Sequence, residues 1–269
     1  MAENVENRNS RLCGGGVQSS SNALLRLNKK ESKMMLFRKV FAFTLAETLI
    51  VMGIIGVVAA LTIPNLNSST ADKEKVAKVQ KIYQNLTDTL GRAQAVYGPY
   101  NEWYQGDTTR TAQITRFGER MTEFMKVSKT CKFTTGCASK SKAYNYDGSE
   151  MASNLDDSHK DYYNVILADG TSLSFEPYRI YVDIDGPNKG PTKEGSDLFT
   201  FWIDQDDSNN YSVTYYGSGE STGNLKPYNI LGWVILNGNM DYLKATIASD
   251  TFKCSNGKTL NWENQTSCK

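Results

Sequence analysis

The chain has 269 residues, 30 basic against 29 acidic side chains, a single histidine and five cysteines. Near-neutral charge without a basic cluster argues against a nucleic-acid surface. The lone His159, set in a polar run, leaves zinc chemistry without a ligand set. The length suffices for one domain with a real core after a substantial N-terminal extension.

Residues 1–42 contain Gly14-Gly15-Gly16, Ser19-Ser20-Ser21 and eight basic residues against three acidic ones. That composition cannot bury enough apolar surface to order itself. Without it the remainder carries 22 basic and 26 acidic residues, a mildly acidic balance. A start at Met34 or Met35 gives a shorter basic leader. From Phe43 to Ile63 the only polar residues are Thr44, Glu47, Thr48 and Thr62. The run matches the roughly 20 residues that cross a bilayer core. Its large apolar residues after Thr48 contribute about 5 kcal/mol of insertion energy, against about 3 kcal/mol for one central charge. Insertion is expected despite Glu47, and Arg38 and Lys39 predict a cytoplasmic leader.

Arg38-Lys39, then Ala42-Phe43-Thr44-Leu45-Ala46-Glu47, then the apolar run ending at Pro64, resemble the N-terminal processing and assembly segment of type IV pilins and type II secretion pseudopilins. The resemblance implies cleavage by a prepilin peptidase between Ala42 and Phe43 and methylation of the new amine. It implies that Glu47 pairs with the N-terminal amine of a neighbouring subunit. Ala42 stands where the family usually has glycine. The implied fold is α+β and pilin-like: a long N-terminal helix, transmembrane then amphipathic, packed on an antiparallel β-sheet. The implied division is a leader over 1–42, a transmembrane and assembly helix over 43–63, and a periplasmic or extracellular head over 64–269. The implied role is a structural subunit of a type II secretion pseudopilus or type IV pilus, not an enzyme. It would be a single-pass protein of the bacterial inner membrane before assembly. Its partners would be further copies of itself, the prepilin peptidase, an inner-membrane assembly platform, minor pilins or pseudopilins, and the membrane.

Beyond Pro64, which is expected to kink the helix, a helical pattern resumes near Ser69. Val76, Val79, Tyr83, Leu86, Leu90 and Ala93 form one apolar stripe at three- and four-residue spacing. Gly98-Pro99 ends it. A second helix is predicted from Thr111 to Val127, with Ile114, Phe117, Met121, Phe124 and Met125 on one face. Residues 139–160 read as a polar surface loop. Strands are predicted at Tyr163–Ala168 and Ser172–Phe175, joined by the hairpin signal Asp169-Gly170. Further strands are predicted at Tyr178–Ile184, Leu198–Ile203, Asn210–Tyr216 and Leu231–Leu236.

Cys13 falls in the leader. The other four cysteines, Cys131, Cys137, Cys254 and Cys268, read as disulfides in an exported domain. Three connectivities are open. Two local loops, Cys131–Cys137 and Cys254–Cys268, are the simplest, and the second would hold the C-terminal tail. That loop also resembles the one closing many pilin heads. Asp183-Ile184-Asp185-Gly186-Pro187-Asn188, with Asp197 further on, offers hard oxygens on a curved backbone. The stretch is similar to the calcium loop of major pseudopilins, so Asp183, Asp185 and Asp197 are candidate Ca2+ ligands. The competing reading is that these are turn residues. A tip subunit, a minor pilin or adhesin with a ligand-binding head, is the alternative function; it would show as an exposed aromatic patch. Catalytic groups are hard to assemble: the sole histidine has no recognisable nucleophile context, and no phosphate-binding loop occurs.

Overall fold

The computed structural model describes residues 44–269 apart from 153–154, 158–160 and 217–221, and leaves out the side-chain surroundings of 61–69. The leader over 1–42 and the expected cleavage pair Ala42 and Phe43 lie outside the described residues. The chain divides into two compact units, Met1–Met52 and Gly53–Lys269.

Helix α1 runs Leu45–Tyr97, continuous through Pro64. Its C-terminal part is amphipathic, and the apolar stripe is its buried face. Val79, Ile82, Leu86, Leu90 and Ala93 are essentially inaccessible, and Tyr83 is partly buried beside them. They pack on one face of a six-stranded antiparallel sheet. Helix α2, Arg110–Thr122, starts at Thr109, whose side chain accepts the Ala112 N–H at 3.2 Å. It buries Ile114, Phe117 and Met121 in the same core and stops five residues before its expected end at Val127. Residues 127–132 instead form strand β1, Val127–Lys132.

Strand β2 is Ala143–Tyr144, β3 is Tyr163–Leu167, β4 is Ser172–Glu176 and β5 is Arg179–Asp183. Strand β6 is Thr192–Lys193, β7 is Leu198–Gln205 and β8 is Tyr211–Tyr215. The large sheet has the order β1-β3-β4-β5-β7-β8, and β2 pairs with β6 in a separate short ribbon. Asp169-Gly170 turns β3 into β4, with the Leu167 N–H donating to the Thr171 carbonyl at 2.8 Å. Register places Ile180 opposite Phe201 and Val182 opposite Phe199, all four facing the core. Arg179 then pairs with Trp202, and Tyr181 with Thr200, on the outer face, as the alternation of a pleated strand requires. Ala143 and Leu155, from the span expected to be a solvated loop, cover part of that outer face together with Tyr162, Tyr181 and Leu198.

The segment expected to be a strand at Leu231–Leu236 is helix α3, Ile230–Asn237. Its run Ile-Leu-Gly-Trp-Val-Ile-Leu is apolar throughout, so it shows neither period, and burial of Ile230, Leu231, Trp233 and Val234 decides in favour of helix. A closing hairpin follows: β9, Thr246–Ala248, and β10, Thr251–Lys253. The cysteines pair locally, Cys131 with Cys137 and Cys254 with Cys268.

The pilin-like α+β arrangement expected from the sequence is corrected. The fold is organised around the antiparallel sheet, and α2 and α3 are short. The transmembrane half of the expected arrangement is not found: among the described residues no helix is long and apolar enough to cross a membrane. Beyond Ser69 the helix carries Lys73, Lys75, Lys78 and Lys81. The same finding overturns the single-pass inner-membrane placement.

Candidate functional site

Three places in the chain bring together residues with chemical potential. The first is the start of α1. The Thr44 N–H and hydroxyl both donate to Glu47 Oε2 at 2.9 Å, and the Glu47 N–H donates back to Thr44 Oγ1 at 3.2 Å. This reciprocal pair is a capping box, which satisfies orphan donors of the first turn. Glu47 thus has a local task, and Thr44-x-x-Glu47 ahead of an apolar run is the sequence signature of it. Around and beyond it, Leu45, Leu49, Ile50, Met52, Ile54, Ile55, Val57 and Val58 are all exposed, Leu45 to 80%.

The second is the acidic loop after β5. Asp183 Oδ1 accepts the Gly186 N–H at 2.9 Å and the Asp185 N–H at 3.3 Å. Asp197 Oδ1 accepts the Lys193 N–H at 2.6 Å. Lys75 Nζ donates to the Ser196 carbonyl at 3.1 Å, and its charge acts on Asp197. Lys78 Nζ holds the Ile184 carbonyl. The carboxylates therefore serve their own turns, with an ammonium group already supplied by α1. Among the described residues no group of three His, Cys, Asp or Glu is arranged to hold a metal ion. The calcium site expected at Asp183, Asp185 and Asp197 is thereby corrected in favour of turn chemistry.

Burial of Asp183 pushes its carboxyl up from the ordinary 3.8 to about 7, with the neighbouring Asp185 and Asp197 adding to the rise. Asp183 Oδ2 and Asp185 Oδ1 are buried without a donor. Burial disfavours the ionised form of Asp183, and its protonated form carries a donor that the carboxylate lacks. The folded state then binds a proton that the unfolded chain releases near pH 4. Stability from this group is present at low pH and is lost as pH rises from about 4 through about 7. Asp183→Asn has no proton to lose and keeps an acceptor for Gly186. Urea unfolding at pH 5 and pH 8 is expected to show a smaller loss of stability in this variant than in the parent chain. Equal losses in the two proteins would refute the proton bound by Asp183.

The third place was not legible from the sequence. On the outer face of the sheet a groove of about 420 Å³ lies between the β5–β7 surface and the segment entering α3. The guanidinium of Arg179 sits 4.1 Å above the Trp202 ring centroid. Tyr216 lies 6.4 Å from Trp202 and 5.5 Å from Tyr228, centroid to centroid. Glu194, Asn145, Thr200 and Tyr181 add further polar groups to the lining. Burial raises the Glu194 carboxyl above its ordinary range, with Asp147 adding to the rise, while the Tyr146 N–H opposes it. The alternation Phe199, Thr200, Phe201, Trp202 carries one signal, since it sends Trp202 to the face opposite the core. The convergence of Tyr228 on Tyr216 depends on tertiary structure.

No family model, curated protein or solved structure matches the chain.

Proposed function

We propose that the chain is a structural fibre subunit that polymerises through the N-terminal part of α1 after cleavage before Phe43. The observation that carries this reading is the run of exposed large apolar side chains on α1 between Leu45 and Val58. A helix that is apolar all round is stable only when covered, and equivalent helices from further copies can cover it. Gly53 and Gly56, with no atom within 4 Å of an added Cβ, leave room for close approach of a neighbouring helix. The resemblance of residues 38–66 to type IV pilins and type II secretion pseudopilins supports the same role. It adds the expected processing enzyme and a partner for Glu47, the methylated amine of the next subunit.

Intact-mass analysis of the protein from the cells that make it tests the reading. The expected mass is that of residues 43–269 bearing one added methyl group, rising by two hydrogens for each of the two disulfides on reduction. A chain left uncut, or one beginning elsewhere, overturns the proposal.

A further inference from the structure

No residue of α1 lines the outer-face groove. Its lining is unusual in three respects. Tyr216 and Tyr228 are 61% and 44% exposed although large aromatic side chains gain most from burial. They form a row with Trp202 in which successive rings stand 5.5–6.4 Å apart. Polar groups of every kind border the row: the Arg179 donors, the Glu194 acceptor, and Asn145, which offers both.

The chemistry of the lining selects among ligand classes. A cation is disfavoured, because Arg179 already occupies the Trp202 face that a cation would seek. An anion is disfavoured as well. Arg179 is the groove's single lining cation among the described residues, and it is shared with Glu176, whose Oε2 is 4.0 Å from Arg179 Nη1. A wholly apolar ligand would take water from the guanidinium, carboxyl and amide groups, whose protein partners (Tyr181 and Glu176, the Tyr146 N–H, and Ser149) leave part of their hydrogen-bonding capacity unused. A neutral ligand with flat C–H faces and a rim of hydroxyl groups meets every condition. Its C–H faces lie on the rings, and its hydroxyls exchange hydrogen bonds with Arg179, Glu194 and Asn145. The volume lies within the 300–1,000 Å³ typical of small-molecule sites, and the ring-to-ring step is close to the length of one pyranose.

From this juxtaposition we infer that the groove lined by Trp202, Tyr216, Tyr228, Arg179, Glu194 and Asn145 is a carbohydrate-binding site that takes a short neutral oligosaccharide. Glu194 directly follows β6, its N–H donating to the Tyr144 carbonyl at 2.8 Å, and its carboxyl accepts a sugar hydroxyl hydrogen bond or, when protonated, donates one.

The test is titration of the full chain with neutral tetrasaccharides of glucose (α- and β-linked) and of N-acetylglucosamine. It is read by intrinsic tryptophan fluorescence and by calorimetry. Inorganic phosphate and tetramethylammonium serve as the charged probes. At least one tetrasaccharide is expected to bind with a change in tryptophan emission. The double variant Tyr216→Ala/Tyr228→Ala is expected to weaken that binding at least tenfold with an unchanged urea midpoint. Glu194→Gln, which keeps the side-chain shape, is expected to weaken it several-fold. Absence of binding by every tetrasaccharide overturns the inference. So does binding that survives the double variant, or binding of phosphate or tetramethylammonium in their place.

Discussion

Replacing Gly186 by alanine is expected to destabilise the fold by about 2–4 kcal/mol. Two costs add at this position. Its φ of +86° belongs to the left-handed region that a side chain resists. A Cβ placed there would also stand 2.3 Å from the Gly170 carbonyl oxygen, a backbone atom that cannot rotate away. The turn between β3 and β4 and the acidic loop after β5 are thus in direct contact, and relief requires one of them to move. Movement of the acidic loop would pull the Gly186 N–H away from Asp183 Oδ1, now 2.9 Å distant. Gly148 supplies the control: its φ is +87°, yet an added Cβ would meet no atom within 4 Å. Gly148→Ala should cost only the conformational part, about 1 kcal/mol. Urea midpoints at constant m-value would give both numbers. Equal effects at the two positions would show that the contact with Gly170 carries no energy.

Phe201→Ala is the second large effect, expected to cost about 3–5 kcal/mol. The ring is wholly inaccessible on β7 and faces α1. It stacks against Tyr83 at 6.1 Å and lies opposite Ile180 and Tyr215 on the two flanking strands. Four elements lose packing at once, and a central strand has little freedom to collapse into the space. Chemical denaturation of the variant measures this directly. A loss below about 1 kcal/mol would mean that the sheet and α1 repack around the void.

The parts of the fold readable from the residues were those with a strict period. The stripe from Val76 to Ala93 on α1 has spacing that only a helix can bring to one side. The pair of runs around Asp169-Gly170 has a turn dipeptide that only a tight hairpin requires. Where the period failed, so did the reading. The run beginning at Ile230 is apolar at every position, and only its neighbours decide its form. Strand β1, Val-Ser-Lys-Thr-Cys-Lys, is a polar edge whose pairing with β3 comes from backbone donors rather than side-chain pattern. In the acidic loop the residue types admit both metal ligation and turn chemistry. Asp183 and Asp197 are acceptors for their own backbones, a use that sequence shares with metal ligation. The aromatic groove draws on β5, β7, the end of β8 and the approach to α3, so no local window contains it.

The strand order carries a consequence for how the domain assembles. In β3-β4-β5-β7-β8 each strand lies beside the one before it in the chain, interrupted only by the short β6 excursion. Each new pairing closes a short loop and so carries a small entropic cost. Sheet growth can therefore follow chain order from the β3–β4 hairpin outward, a low-contact-order route that favours rapid folding. Strand β1 is the exception, since the long span from Lys132 to Tyr163 must close before it can pair. Amide exchange should record this history in reverse: β1 should give up its protons first, and β4 and β5, flanked on both sides, should hold theirs longest.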